Sequence, residues 1–160
     1  MGYEAEVKAR DQQRIVTLDI KRSVQAAVSA YRDEFRQIVG SEPIIETQPD
    51  GHSFVIATYG GGDYVLLGAF SLQQLPGCCG AVVLYHASTV TKFQRRGLGR
   101  LFLRVRQSAA VLAGYSWAIC TTLKSNKGEI SLLTAEGWGK LHEFNNKRTN
   151  NDLVVFTKQL

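Results

Sequence analysis

STVTKFQRRGLGR, residues 88–100, is the stretch that decides how this chain is organised. Its first residues have the β-branched character of a strand end, and a basic loop follows. Apolar residues then recur at mostly three- and four-residue intervals, which predicts an amphipathic helix over about 98–113. The start of a helix exposes unpaired backbone N–H groups and the positive end of the helix dipole. Gly97 and Gly99 leave room for a phosphate to approach that backbone, so the stretch predicts an anion-binding strand–loop–helix unit.

The distribution of charge supports an anionic ligand at this loop. The chain has a net charge of +5, yet no carboxylate occurs between Asp63 and Glu129. The basic residues inside that interval are Lys92, Arg95, Arg96, Arg100, Arg104, Arg106, Lys124 and Lys127. Such a centre fits a phosphorylated cofactor or a nucleic acid. The P-loop pattern is absent, and the dinucleotide pattern fails because Phe102 stands where its third glycine would be.

The elements on either side of the loop follow from periodicity and turn residues. Helical spacing from Val24 to Ile38 predicts a helix over about 21–39, and three or four strands follow, among them 54–59, 64–72 and 81–90. Short turns join these strands, which predicts an antiparallel meander. The remaining elements are predicted as a strand at 115–122, a short helix at 127–136 and strands at 138–144 and 153–158. The order predicts an α/β or α+β fold built as a single domain over residues 1–160.

Composition disfavours several other classes of protein. No apolar run approaches the ~20 residues of a membrane span, and residues 1–6 carry no secretory signal. The three cysteines and three histidines lack the spacing of a metal site, so no metal is expected. A cytoplasmic location with reduced thiols is the expected setting.

The loop also resembles a known family. The hexapeptide Gln94-Arg95-Arg96-Gly97-Leu98-Gly99 is similar to the pyrophosphate loop of the GNAT N-acetyltransferases, Gln/Arg-x-x-Gly-x-Gly/Ala. A second segment agrees, because Asn126 opens the helix that follows the next strand and Gly137-Trp138 closes it at the family's spacing. The resemblance covers about residues 80–158. It implies a central mixed, mostly antiparallel sheet with helices on both faces, and acetyl-CoA as the cofactor.

The resemblance further implies how acetyl-CoA is held. The strand ending near residue 90 would separate from its neighbour beginning near Tyr115, and the pantetheine arm would lie in the gap. The loop would bind the pyrophosphate, Asn126 the pantetheine, and Arg100 the 3′-phosphate. The predicted cofactor-binding residues are Thr89, Val90, Thr91, Gln94, Arg95, Arg96, Gly97, Leu98, Gly99, Arg100 and Asn126.

The chain departs from the family pattern at the catalytic acid. Many members carry a Tyr four residues before the Gly–aromatic pair, and Leu133 stands there in this sequence. Tyr115, Ser131 and Thr134 are left open as replacements. A thiol with a pKa of about 8.5 leaves readily as thiolate, so direct attack of an amine on the thioester is still expected. The alternatives are a non-catalytic acyl-CoA-binding module of the same fold and a basic nucleic-acid-binding protein.

The base that deprotonates the amine is predicted in the strand before the loop. That strand has no carboxylate, so His86 is the predicted base and Tyr85 is expected to orient the amine. Alternation along a strand puts these two side chains on opposite faces unless a bulge intervenes. Glu129, in the first turn of the short helix, is the third catalytic candidate.

The polar run between the last two strands is predicted to border the acceptor. Its hydrogen-bonding residues include Arg148, Asn145 and Asn151. The acceptor is expected to be a primary amine on a small molecule, a protein or a nucleic acid, and its identity is left open, as is a homodimeric state.

Overall fold

Seven strands form one sheet in the part of the chain that the computed structural model describes, residues 19–160. The N-terminal residues on which the expected lack of a secretory signal depends lie outside that part. The strands are β1 (Pro43–Thr47), β2 (Ser53–Gly60), β3 (Asp63–Gln74), β4 (Ala81–Thr89), β5 (Trp117–Leu123), β6 (Gly139–Asn146) and β7 (Asn151–Gln159). The helices are α1 (Ile20–Ala30), α2 (Arg32–Val39), α3 (Leu98–Leu112) and α4 (Lys127–Ala135), with a 3₁₀ turn at Thr91–Phe93 before α3.

The sheet is mixed and mostly antiparallel, which confirms the predicted fold class. Its strand order is β1-β2-β3-β4-β5-β7-β6. Strands β1 to β4 form the predicted antiparallel meander, and β5, β7 and β6 pair antiparallel with one another. Only β4 and β5 pair in parallel among the described strands, and α3 supplies the crossover that a parallel connection requires.

Two boundaries differ from the prediction made from spacing. The helix predicted over 21–39 is two helices, because Tyr31 leaves the helical conformation with φ −99° and ψ 12°. The apolar spacing continues through this interruption, so periodicity alone could not reveal it. The sequence predicted three or four strands in the meander, and the short edge strand β1 is the fourth. Pro43 at its first position is compatible with an edge strand.

Within residues 19–160, the helices pack against one face of the sheet. Buried residues of that face include Phe70, Leu84, Cys120 and Phe156, and Phe102 of α3 packs 5.9 Å from Phe70, ring centre to ring centre. The core also contains residues of α1, α2 and α4. Strands β4, β5 and β6 run parallel and progress in one direction across the sheet, so right-handed crossovers put α3 and α4 on the same side. Within residues 19–160, the opposite face carries partly exposed side chains and no helix.

No helix among the described residues combines the length and the apolar character needed to cross a membrane.

Candidate functional site

Strands β4 and β5 diverge after a short parallel pairing. They are paired only from Ala81 to Leu84 and from Trp117 to Cys120. Beyond these residues β4 stays with β3 as far as Thr89, and β5 stays with β7 as far as its last residue. A gap therefore opens between the carboxyl ends of the two strands, where sequence reasoning expected the pantetheine arm.

The loop between β4 and α3 is held in a left-handed geometry. Arg95 has φ 64° and Gly97 has φ 93°, both in the region that L side chains rarely adopt. The side-chain amide of Gln94 donates to the carbonyl oxygen of Thr89 at 3.1 Å, which ties the loop back to the strand. Phe93 is buried beneath the loop and anchors it in the core. Gly97 and the buried Phe93 therefore define the conformation of this loop.

The backbone N–H groups at the start of α3 have no acceptor among residues 19–160. The first hydrogen bond of the helix runs from the N–H of Leu101 to the carbonyl oxygen of Gly97, at 3.0 Å. Within residues 19–160, the N–H groups of residues 95–100 donate to no other backbone or side-chain atom. Unpaired N–H groups at a helix N-terminus, preceded by alternating backbone conformations, form an anion-binding site.

These N–H groups border a cavity of about 480 Å³. It lies where the end of β4, the start of α3 and the first turns of α4 meet. Its lining residues are Ala87, Ser88, Thr89, Gln94, Arg95, Gly99, Phe102, Arg106, Gly128, Glu129 and Leu132. The structure thereby brings together five of the predicted site residues: Thr89, Gln94, Arg95, Gly99 and Glu129.

The other predicted cofactor residues lie around the cavity without lining it. Leu98 is buried in the core, so only its backbone N–H can serve a ligand. The side chain of Arg100 pairs with Glu136 at 3.2 Å. Asn126 caps α4, because its side-chain oxygen accepts from the N–H of Glu129 at 3.1 Å. The remaining members of this group, all in the loop, are Val90, Thr91, Arg96 and Gly97.

The arginines of α3 do not form an open basic face. Arg104 makes two hydrogen bonds to the carboxylate of Glu136, at 3.0 and 3.1 Å, and Glu136 also pairs with Arg100. Arg106 is buried, with 2% of its surface exposed. This helix therefore lacks the free cationic surface that a nucleic-acid-binding helix presents.

Arg106 is a cavity residue that sequence reasoning did not select. Its Nε donates weakly to the carbonyl oxygen of Phe102 at 3.4 Å, and its guanidinium lies 5.8 Å from the centre of the Phe70 ring. Burial lowers the pKa of Arg106 from its ordinary value, with Cys120 and Glu129 acting in the opposite direction. The available signal was an arginine on the apolar side of α3, between Phe102 and Ala109.

The residues considered as substitutes for the family's Tyr do not line the cavity. Leu133 is fully buried in the core, and its neighbour Leu132 faces the cavity instead. The hydroxyl of Thr134 donates to the carbonyl oxygen of Ile130 at 2.8 Å, and Ser131 is exposed. Tyr115 precedes β5, at the end of the sheet opposite the gap. No hydroxyl from this set is therefore directed at the cavity.

A β-bulge carries the two predicted catalytic residues of β4. Tyr85 pairs with Ser71 and Ser88 pairs with Ala69, so two residues of β4 face a single residue of β3. His86 adopts φ 51° within the bulge, and its ring lies 4.7 Å from the Tyr85 ring. The bulge breaks the alternation that would have separated the two rings, and neither residue lines the cavity.

A polar cluster that the sequence did not indicate surrounds Tyr85. The Tyr85 hydroxyl donates to the side-chain oxygen of Gln73 at 3.1 Å, and the ring of His52 lies 6.3 Å away. His52 Nε2 is 3.5 Å from Asp50 Oδ2. Burial, followed by the charge of Asp50, raises the pKa of Tyr85. The β1–β2 turn that supplies Asp50 and His52 is remote in sequence, so only strand pairing places it here.

The predicted acceptor residues lie in the turn between β6 and β7. Asn145 donates to Asp152 at 3.0 Å, and the backbone N–H of Arg148 donates to the side chain of Asn146 at 3.0 Å. Leu153 pairs with Leu123 at the end of β5, which puts this turn at the same end of the sheet as the cavity. Arg148, Asn145 and Asn151 do not line the cavity itself.

Solved structures with a similar fold include acetyltransferases. One is a GNAT family acetyltransferase from Elizabethkingia anophelis with acetyl-CoA bound, with a TM-score of 0.57, 15% identity, and coverage of 81% of this chain and 83% of that chain. Another is the ribosomal-protein-S18-alanine N-acetyltransferase from Escherichia coli, with a TM-score of 0.55, 15% identity, and coverage of 79% and 75%. A chain of the NatC complex bound to Gag peptide and CoA gives a TM-score of 0.62 at 11% identity, with coverage of 90% and 96%.

Sequence comparison adds no relative to this set. No protein-family model matches the chain, and no curated protein matches it. The likeness, at 11–15% identity to these three structures, is therefore one of fold. In its described part, this chain has the GNAT fold, the fold of these acetyltransferases.

Proposed function

We propose that this chain is an N-acetyltransferase that transfers an acetyl group from acetyl-CoA to a primary amine. The observation that carries the proposal is the row of N–H groups at residues 95–100 that lack an acceptor within residues 19–160, beside a cavity where the end of β4, the start of α3 and the first turns of α4 meet. A pyrophosphate is the group that such a helix start suits best. Similar folds have been solved with acetyl-CoA or CoA bound, which supports the same ligand here.

The residues present fit coenzyme A. The loop N–H groups and the side chain of Arg95 would hold the pyrophosphate. The unpaired edges of β4 and β5 would accept the amides of the pantetheine arm as a neighbouring strand does. The side-chain NH₂ of Asn126 remains able to donate to that arm while the oxygen caps α4. Bound acetyl-CoA would supply an activated acetyl thioester.

The protein's own contribution is positioning and proton removal. An amine with a lysine-like pKa near 10.4 is mostly protonated at neutral pH, so a base must take its proton. We propose His86 as this base, with Tyr85 orienting the amine, because the bulge puts both rings on the same side of β4. Glu129 is the alternative base, since it is the carboxylate that lines the cavity.

The first experiment measures ligand binding and turnover separately. Calorimetry with acetyl-CoA tests binding, and loss of the thioester's ultraviolet absorbance in the presence of candidate amines tests transfer. A direct absorbance assay is preferable to a thiol reagent, because Cys78 and Cys79 are exposed. Failure to bind acetyl-CoA at millimolar concentration would contradict the proposal.

The base is identified by pH–rate profiles of His86→Gln, Tyr85→Phe and Glu129→Gln beside the wild type. Loss of the acidic arm in His86→Gln supports His86, and loss of that arm in Glu129→Gln alone supports Glu129. Identical profiles for all four proteins would leave proton removal to solvent. General-base assistance is typically worth ~10²–10⁴ in rate, so the active variant should fall by about that factor.

The acceptor is expected to contact the turn between β6 and β7. Among the described residues, no carboxylate lies within ion-pair distance of Arg148, which leaves its guanidinium available to a ligand. Arg148→Ala should raise the Michaelis constant of the acceptor more than that of acetyl-CoA, and Asn145→Ala and Asn151→Ala should act in the same direction. Equal changes in both constants would mean that the turn has no part in acceptor binding.

A non-catalytic acyl-CoA-binding module is the second candidate. Leu133 favours it, because the position that carries a hydroxyl in many GNAT enzymes is apolar and fully buried here. Tight binding of acetyl-CoA with no thioester loss across a broad panel of amines would support this module. Salt-dependent DNA binding that acetyl-CoA does not displace would support neither candidate.

A further inference from the structure

Arg106 is a buried cation whose charge has no direct partner among residues 19–160. Within residues 19–160, no carboxylate lies within 4.0 Å of its guanidinium, and its one hydrogen bond is the 3.4 Å contact from Nε to Phe102. The terminal nitrogens of Arg106 are not among the solvent-inaccessible side-chain atoms that lack a hydrogen bond, and Arg106 lines the cavity. These nitrogens therefore open into the cavity, and five N–H donors on a buried guanidinium call for an acceptor.

The charges that face Arg106 leave the cavity with an excess of positive charge. Glu129 lines the same cavity from α4, at more than ion-pair distance, and Arg95 adds a second cation at the loop. The Cys120 thiol packs nearby on β5, and burial raises its pKa to about 11, so it stays neutral. One carboxylate thus faces two guanidinium groups, which favours a ligand that carries or develops negative charge there.

The position of Arg106 along the cleft indicates which part of a ligand it meets. It follows Gly99 by seven residues on α3, a rise of about 10 Å from the helix start. Its electrostatic neighbour Cys120 is the last residue of β5 that pairs with β4, so Arg106 lies at the closed end of the gap. A ligand anchored at the helix start and lying in the gap would direct its other end toward Arg106.

We infer, on the basis of the proposed function, that the Arg106 guanidinium stabilises the negative charge on the coenzyme A sulfur as the acetyl group is transferred. The amine nitrogen forms a bond to the thioester carbonyl carbon, and the carbon–sulfur bond breaks with its electron pair remaining on sulfur. The amine proton goes to the base or to solvent, and Arg106 keeps all of its protons. A fixed charge in a cavity shielded from water is an effective stabiliser of such developing charge. Arg106 would thereby take the place of the hydroxyl that Leu133 lacks.

The test measures the thiol pKa of bound coenzyme A, and it needs no acceptor. Thiolate absorbance is followed against pH for the complex, after subtraction of the protein alone, in a background in which Cys78 and Cys79 are replaced by Ser. In the wild type the bound thiol should titrate at least about one pH unit below the thiol of free coenzyme A in the same buffer. Arg106→Leu should abolish this shift and Arg106→Lys should retain part of it. Arg104→Gln removes the same charge from the outer side of α3 and should leave the shift unchanged.

The outcomes separate this inference from the proposed function. Absence of coenzyme A binding in calorimetry would contradict both the proposed function and the role of Arg106. Binding with the same thiol pKa in wild type and Arg106→Leu overturns the role of Arg106 and leaves the proposed function in place. A preference for succinyl-CoA over acetyl-CoA that disappears in Arg106→Leu, without a shift in thiol pKa, also overturns it, because Arg106 would then bind an acyl carboxylate. Replacement of a buried charge by an apolar side chain is often neutral or stabilising, so Arg106→Leu is expected to fold.

Discussion

Gly99→Val should abolish tight binding of acetyl-CoA while leaving the fold intact. Gly99 lines the cavity, and a Cβ built on it lies 4.0 Å from Leu132 Cδ2, which is ordinary van der Waals contact. The side chain therefore fits, but its methyl groups occupy the space in front of the unpaired N–H groups. Val and Gly differ by a few tenths of a kcal/mol in helix propensity, so the free energy of unfolding should change by less than about 0.5 kcal/mol.

The loss of affinity can be estimated from the hydrogen bonds that Val would prevent. A hydrogen bond to a charged group contributes about 1.5–3 kcal/mol. Loss of two such bonds to the pyrophosphate amounts to about 3 kcal/mol or more, which is a weakening of at least about 100-fold. The matched control is Gly80→Val, since a Cβ on Gly80 meets nothing within 4 Å and the residue precedes the far end of β4.

Calorimetric titration with acetyl-CoA and urea unfolding of the same samples provide the two measurements. The expected pattern is weak binding and normal stability for Gly99→Val, with both properties normal for Gly80→Val. If the folded Gly99→Val protein binds acetyl-CoA within about threefold of wild type, the phosphate does not sit on these N–H groups.

Three further predictions concern stability and reactivity. Gly68→Ala should lower the free energy of unfolding, measured by urea denaturation, by about 2–3 kcal/mol or more, because the new Cβ would clash with the backbone carbonyl oxygen of Ser88 and lie 2.6 Å from the Phe102 ring. A change below about 1 kcal/mol would show that the strand and the core yield easily there. In a thiol titration of the native protein, the two exposed cysteines should react quickly and buried Cys120, whose pKa is about 11, only after unfolding; three fast thiols would contradict this. The carboxylate of Asp50 accepts hydrogen bonds from the hydroxyl of Ser53 and from backbone N–H groups, and these bonds lower the pKa of Asp50 from 3.8 to about 2. The ionised carboxylate therefore stabilises the folded state above pH 3.8, and this contribution is lost as the pH falls through about 2. The stability difference between wild type and Asp50→Asn should therefore shrink over that interval, and a constant difference would refute the assignment.

The sequence indicated the secondary-structure elements and the proposed anion site because both depend on local signals. Apolar spacing after Gly97 is sufficient to specify α3, and a glycine-rich loop before a helix leaves backbone N–H groups at the helix start accessible to an anion. Boundaries at β2, β3, β4 and β5 follow from turn residues and agree within a few residues with the structure. The interruption at Tyr31 is not visible in the sequence because the apolar spacing continues through it unchanged.

Strand pairing brings together residues that are distant along the chain. This pairing determines where the gap between β4 and β5 begins and how His86 is oriented. Cys120 meets Leu84 where the parallel pairing ends, so the length of that pairing determines where the gap begins. The extra residue in β4 turns His86 toward Tyr85, although strict alternation would separate them.

Arg106 shows the same division between local and tertiary information. On the helix it is one of several arginines, and the only local difference from Arg104 is its place on the apolar side of α3. The packing of α3 on the sheet buries the first and leaves the second at the surface with Glu136. Local spacing sets which side chains share a helix face, whereas the environment of that face depends on strands whose pairing is determined by contacts along the whole chain.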